Sequence, residues 1–509
     1  MTLTRKNVWD LGSTWADPIL WYARGVAAMK ARALAEPTSW RFYAAIHGFH
    51  KGLWTAAGYL KAGEAMPTSA NHKRYWLQCQ HGSWYFLPWH RGYLLAFEQN
   101  VRAAIVALKG PAEWTLPYWN YFKPHQNKLP PAFATPDWPD GKGNNPLYVP
   151  QRYGPQNDGD VYVDLVDVNL KAMADPDFTG VASGAGPGFG GVDTGFEHNG
   201  GTHGGIETQP HDWVHGLVGG GDQDHPGLMS DPRTAALDPI FWLHHANIDR
   251  LWDVWTRNPP TDEDPKAPKW LKGPASVGER AFSLPKPNGD VWNYTPEDMV
   301  DDNKLGYAYD DVSPAVPADS HRRRMQRLGA PAPAVGLKPG APVVSGKNVE
   351  LVGASPRGVE LKGSEATTVV TLDTSVRKKV TASLSAVAKA AAPAPDRVFL
   401  NLENVTGFAD ATAFKVYVGV PTGADPAQHA DKLAGSIALF GVASASEPDG
   451  DHGGKGLTFV LEITDVVDTL HLQNALDVDK LDVRLVPLRP VHEKAQIKIG
   501  RISIFRQGN

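Results

Sequence analysis

Apolar residues recur at three- and four-residue spacing over residues 15–35, 39–60 and 84–108, and again over 240–255, which predicts four amphipathic helices. Between 127 and 205 the periodicity dissolves into Gly, Pro, Asp and Asn, including the run Gly184-Ala185-Gly186-Pro187-Gly188-Phe189-Gly190-Gly191, and long loops over a scaffold are expected. Pro and Ala then crowd around His321-Arg322-Arg323-Arg324, the composition of a linker whose arginines are either a protease target or a solvated charge run. Beyond residue 349 short apolar runs at 398–402, 414–418, 457–461 and 497–505 alternate with turn residues, which predicts a small antiparallel β-sandwich. The expected organisation is α+β: a mainly helical part over 1–312, a linker over 313–346, and a β-sandwich over 347–509.

Composition narrows the function. A chain of 509 residues with 42% hydrophobic and 21% charged residues is ordinary globular protein of two to three domains. A formal net charge of -5 gives no electrostatic reason to bind nucleic acid or an anionic membrane, so a small neutral molecule is the expected partner. Self-association is left open. No apolar stretch follows Met1-Thr2-Leu3-Thr4-Arg5-Lys6, and none is long enough to span a bilayer, so a cytoplasmic location is expected. The single cysteine, Cys79, excludes a disulfide framework and a Cys-rich zinc site. The 18 histidines fall mostly between His47 and His245, and that clustering points to metal chemistry.

Two trios stand out. His81 and His90 lie nine residues apart, the second entering an apolar helix, while Ala44-Ala45-Ile46-His47-Gly48 offers a third imidazole upstream. His211 and His215 lie four apart, one helical turn on one face, and Asp238-Pro239-Ile240-Phe241-Trp242-Leu243-His244-His245 adds one or two more. A single histidine on an apolar face is ordinarily a satisfied core residue, but that reading has to hold for six residues in two similar trios. Neutral imidazoles suit copper rather than calcium or magnesium, and open tri-histidine sites are unlike closed four-ligand structural zinc. Three plus three nitrogens imply a paired metal centre.

These residues carry a family resemblance. Pro88-Trp89-His90-Arg91 after His81, then Leu116-Pro117-Tyr118-Trp119-Asn120, His211 with His215, and Asp238-Pro239 through Asn247-Ile248-Asp249-Arg250 resemble the two copper signatures of tyrosinases, catechol oxidases and haemocyanins. Lys304-Leu305-Gly306-Tyr307-Ala308-Tyr309 is similar to the motif that closes the catalytic core of plant polyphenol oxidases, and residues 397–406 and 499–503 resemble their C-terminal domain.

The resemblance implies a four-helix bundle holding two coppers, with His47, His81 and His90 at copper A and His211, His215 and His245 at copper B. His47 is preferred to the nearby His50 and His72 for its context after Tyr43-Ala44-Ala45-Ile46. His244, Asn247 and Asp249 are expected just behind the ligands, Asp249 as an anchor for an imidazole N–H or, alternatively, in an ion pair with Arg250. Cys79, two residues before His81, matches the cysteine that fungal members join to the copper A histidine as a thioether. The plant position for that cysteine is here Lys51. Glu207 and Asp212 are expected to hold a water that takes the phenol proton, and Pro232 stands where plant catechol oxidases often carry a bulky Phe gate. The implied activity uses O2 to oxidise small phenolic substrates to o-quinones, with monophenol hydroxylation as well as o-diphenol oxidation. The alternatives are a catechol oxidase acting on o-diphenols only and a haemocyanin-like oxygen-binding protein. By the same resemblance the C-terminal domain is expected to shield the copper cleft.

Overall fold

The computed structural model describes residues 2–139, 143–257, 263–313, 320–330, 348–388, 395–450, 453–476 and 478–508. Five helices of the first half concern the site: α1 (Asp17–Lys30), α2 (Trp40–His47), α3 (Phe86–Ala107), α4 (Trp213–Gly219) and α5 (Pro239–Thr256). Their ends follow local chemistry. Ser39 accepts from the Phe42 amide at the start of α2, and Asp238 accepts from the Ile240 amide with Pro239 at the first turn of α5. Asp238 is also gripped through both oxygens by Arg152, at 2.6 and 2.8 Å, which ties that helix start to the preceding loops.

The helix expected over 39–60 is broken after His47. Gly48 is extended (φ -165, ψ 149) and a new helix begins only at Lys51. A Cβ on Gly48 would stand 2.5 Å from the Pro232 carbonyl oxygen, so the chain turns where only glycine fits against the segment that supports His47.

Helices α3 and α5 cross with Trp242 stacked on Phe97 (centroids 3.4 Å, 8°), and Trp40 of α2 packs edge-on against both rings. Aromatic pairs of this kind add about 0.5–1.5 kcal/mol each beyond their burial. Behind them lies an ionic knot. Asp249 accepts from Arg91 (2.5 Å), Arg5 (3.1 Å), Tyr307 (2.6 Å) and Tyr309 (2.5 Å), and Arg5 also reaches Glu98 at 2.8 Å. The strand Leu3–Arg5, parallel to Tyr307–Tyr309, delivers the distant ends of the first 310 residues to one point.

The C-terminal strands found at Arg397–Thr406, Ala413–Val418, Leu457–Glu462 and Ile497–Gly508 contain the four predicted runs. They do not form two facing sheets. One ten-stranded sheet runs Leu433–Ala438, Ala413–Val418, Lys480–Pro487, Ala366–Leu372, Asn348–Ala354, Ile497–Gly508, Arg397–Thr406, Leu457–Glu462 and Gly201–Thr202 in order, with Val359–Leu361 beside Ile497–Gly508. It curls until Leu461 lies against Gly435 across the gap, so the core sits inside a single rolled sheet rather than between two. The last strand, Gly201–Thr202, comes from the helical half and pairs in parallel with Leu457–Thr458.

Residues 314–319 and 331–346 of the expected linker lie outside the described residues. Ser320–Arg327 is a helix, and Arg324 and Arg327 pair with Asp468 of the helix Thr464–Leu472 while Leu328 enters the C-terminal core, so this stretch is held to the C-terminal part rather than hanging free. Among the described residues, no helix is long and apolar enough to cross a membrane.

Candidate metal centre

His47 ends α2, His81 lies in the loop before α3, and His90 sits one turn inside α3; all three are at most 3% exposed and converge with Cys79. His211 and His215 come from the irregular turn Glu207–Asp212 and from α4, and His244 and His245 from α5. The backbone is extended at Gln209 (φ -145, ψ 122) and helical at Asp212 and Trp213, so His211 and His215 lie one turn apart as expected and their rings meet at 4.5 Å. The groups adjoin, with His90 stacked on His245 at 4.5 Å and His81 5.6 Å from His211.

In five of the six rings the hydrogen bonds decide which nitrogen is free. The Nδ1–H of His47 donates to Pro232 O, that of His90 to Phe86 O and that of His215 to Met229 O, each at 2.8 Å. A carbonyl can only accept, so Nδ1 carries the proton and Nε2 keeps its lone pair. His81 donates from Nδ1 to Asn199 Oδ1 (2.6 Å) and His211 to Asp212 Oδ1 (2.8 Å). The buried Nε2 atoms of His47 and His211 have no hydrogen-bond partner among the described residues, and the Nε2 atoms of His215 and His245 face each other at 3.2 Å. Burial holds all six imidazoles well below their ordinary pKa, in the neutral form a metal needs. The donor set fits two copper ions. His50, by contrast, is exposed and uses Nδ1 to cap the next helix at Leu53.

Cys79 Sγ lies 3.3 Å from Nδ1 and 3.4 Å from Nε2 of His81, on the plane that bisects the ring through Cε1. Glu207 is fully buried, with the Gly82 amide donating to both oxygens (2.9 and 3.0 Å) and the Gly204 amide to one, and burial pushes its pKa up to about 8. Gly82 has φ +65, and a Cβ there would overlap Gly200 O at 1.6 Å, so this amide is available only from glycine. Asp212 lies beside Glu207, the carboxylates of both falling with His203 within 4.8 Å of one another. Its two oxygens accept from His211 (2.8 Å) and from His203 (2.7 Å).

Two residues expected behind the ligands are engaged elsewhere. Asp249 serves the Arg91 and Arg5 guanidiniums, whose pull outweighs burial and keeps its pKa low, and Asn247 accepts from Arg250 at 3.0 Å. His244 stacks on His211 at 5.5 Å, within the group that His211, His215 and His245 form. Pro232, expected as a gate, is buried and serves the site through its carbonyl on His47, while its ring lies beside Gly441. What covers the site is Phe440, from the turn after the strand Leu433–Ala438. Its ring stacks on His215 at 4.1 Å and meets His81 (5.4 Å) and His211 (5.6 Å) edge-on. Sequence reasoning missed Phe440, Asn199 and His203. Only His203 left a trace, as one more histidine inside the cluster.

Residues 37–258 match the common central domain of tyrosinase, and residues 348–507 match a domain of unknown function. Tyrosinase HcTyr1 of Hahella sp. (strain CCB-MM4) is 32% identical over 521 residues, covering 99% of both chains. The chloroplastic polyphenol oxidase of Malus domestica is 26% identical over 505 residues, 95% of this chain and 74% of that one. Among solved structures, latent apple tyrosinase matches with a TM-score of 0.58 at 22% identity, over 100% of this chain and 97% of that chain. A recombinantly expressed latent aurone synthase does so with a TM-score of 0.58 at 19% identity, over 99% and 89%. These two share the fold; it is the relative spanning nearly the whole chain that, with the histidine centre, fixes the assignment. The chain belongs to the tyrosinase family of copper oxidoreductases.

Proposed function

We propose that the chain is a latent tyrosinase, in which the bundle of α2, α3, α4 and α5 holds two coppers and residues 347–509 shield them. His47, His81 and His90 bind copper A, and His211, His215 and His245 bind copper B. Bound there, the two copper ions supply the oxygen activation and redox chemistry that turn phenols into o-quinones. The protein holds six neutral imidazoles in place, excludes water, and offers the buried Glu207, whose ionised form takes the proton of a phenol whose own pKa is about 10. Monophenol hydroxylation as well as diphenol oxidation is favoured by the name tyrosinase on the relative that spans nearly the whole chain. The equidistance of Cys79 Sγ from the two nitrogens of His81 favours a thioether to Cε1, made by loss of two hydrogens to oxygen at the copper site and visible as that deficit in the intact mass.

The observation that carries latency is the Phe440 ring stacked on His215, where an incoming phenol ring would lie. The test loads full-length wild type and Phe440→Ala with copper and assays tyrosine and a catechol side by side. The variant is expected to turn over both faster. Equal rates in the two proteins defeat the shielding role, catechol oxidation without tyrosine oxidation defeats the monophenol activity, and an oxygen complex without turnover of either defeats the enzyme.

A further inference from the structure

His203 has no place in the reaction described so far, and its surroundings assign it one. It is 1% exposed, follows the two-residue strand Gly201–Thr202, and its Nδ1–H donates to Asp212 Oδ2 at 2.7 Å. The other oxygen of Asp212 accepts from Nδ1 of His211 at 2.8 Å, so His203, Asp212 and His211 form one line of hydrogen bonds that ends on a free Nε2 in the metal centre. From behind, the line is seated by the C-terminal sheet. The His203 amide donates to Thr458 O (3.3 Å), and the ring of Phe459 meets the His203 ring edge-on at 5.1 Å.

We propose that His203 is a positioning residue for the copper B ligand His211, resting on the ligand reading above. The other imidazoles tied to a backbone carbonyl are aimed by atoms that cannot rotate. His211 is tied instead to a side-chain carboxylate, which turns about its own bonds unless its second oxygen is held, and His203 holds it. A carboxylate fixed in this way keeps His211 in the Nδ1–H tautomer, steadies the ring plane, and makes Nε2 a stronger donor toward a metal; partners of this type are typically worth about 10- to 100-fold in metal affinity.

Two substitutions separate positioning from mere filling. His203→Asn keeps a donor near the place of Nδ1, whereas His203→Phe keeps a ring against Phe459 and removes the donor. Copper per chain is measured under increasing chelator, together with the electron paramagnetic resonance signal of copper left uncoupled when one ion of the pair departs, and the melting of the copper-free proteins. The expectation is that His203→Phe gives up one copper per chain at about tenfold less chelator and shows the uncoupled signal, that His203→Asn stays close to wild type, and that the copper-free proteins melt alike. Retention by His203→Phe equal to wild type overturns the proposal, as does equal loss in both variants with lowered melting of the copper-free forms. Wild type that takes up fewer than two coppers per chain overturns the ligand reading as well.

Discussion

Glu207 concentrates the demands on a single side chain. Its carboxylate hangs from the Gly82 and Gly204 amides, and burial raises its pKa to about 8. A catechol yields its protons more readily than a monophenol once at the site, so the base matters most for the latter. Glu207→Gln keeps the amide contacts to one oxygen and is expected to cut tyrosine turnover about 100-fold while lowering catechol turnover far less; equal loss of both would show that Glu207 serves the fold or the metal instead. Residues of this kind divide by how they can be read. The spacing of His81, His90, His211, His215 and His245 repeats a local pattern, since each sits on or beside a helix whose periodicity is visible in the chain. Asn199, His203 and Phe440 follow no such pattern. Asn199 and Phe440 acquire a role only when a loop or a strand turn more than a hundred residues away is laid against the histidines, and His203, though nine residues from Asp212, sits in a loop with no periodicity to mark it.

Among the elements, the crossing of α3 and α5 depends on Asp249. Four donors from three separated stretches meet on it, and the sequence hinted only at a neighbouring Arg250. Asp249→Ala strands the buried Arg5 and Arg91 charges. It is expected to cost about 3–5 kcal/mol in denaturant unfolding of the copper-free protein, and a loss below about 1 kcal/mol would show that the tyrosines and Glu98 suffice. Helix positions were legible because three-to-four periodicity is written into residues that face a common core. The break after His47 was not, because Gly48 is demanded by the Pro232 carbonyl, a neighbour that appears only in the folded chain. The C-terminal strands were equally plain, but alternation gives the face a side chain takes and not how a sheet closes, so one rolled sheet and two stacked ones read alike.

At the scale of the molecule, the two halves meet through charge as well as through Phe440. Arg233 pairs with Asp231 (2.7 Å) beside it and reaches Asp410 (3.5 Å) and Glu447 (3.4 Å) on the C-terminal side. Burial, reinforced by Asp231, pushes the Asp410 pKa up from 3.8 to about 7. A carboxyl that holds its proton more tightly when closed favours closure most fully below about pH 4, and that contribution is lost as pH rises through about 7. Between about pH 5 and pH 8 the full-length protein is therefore expected to lose several degrees of melting temperature beyond the loss in Asp410→Asn; parallel curves would clear Asp410 of the effect. The same two-residue segment has a second duty. Pro232 lends its carbonyl to His47, and the next residue is the arginine that clasps the shield. On the reading proposed above, pulling residues 347–509 away tugs the backbone that aims His47, so that activation and metal retention are set against each other.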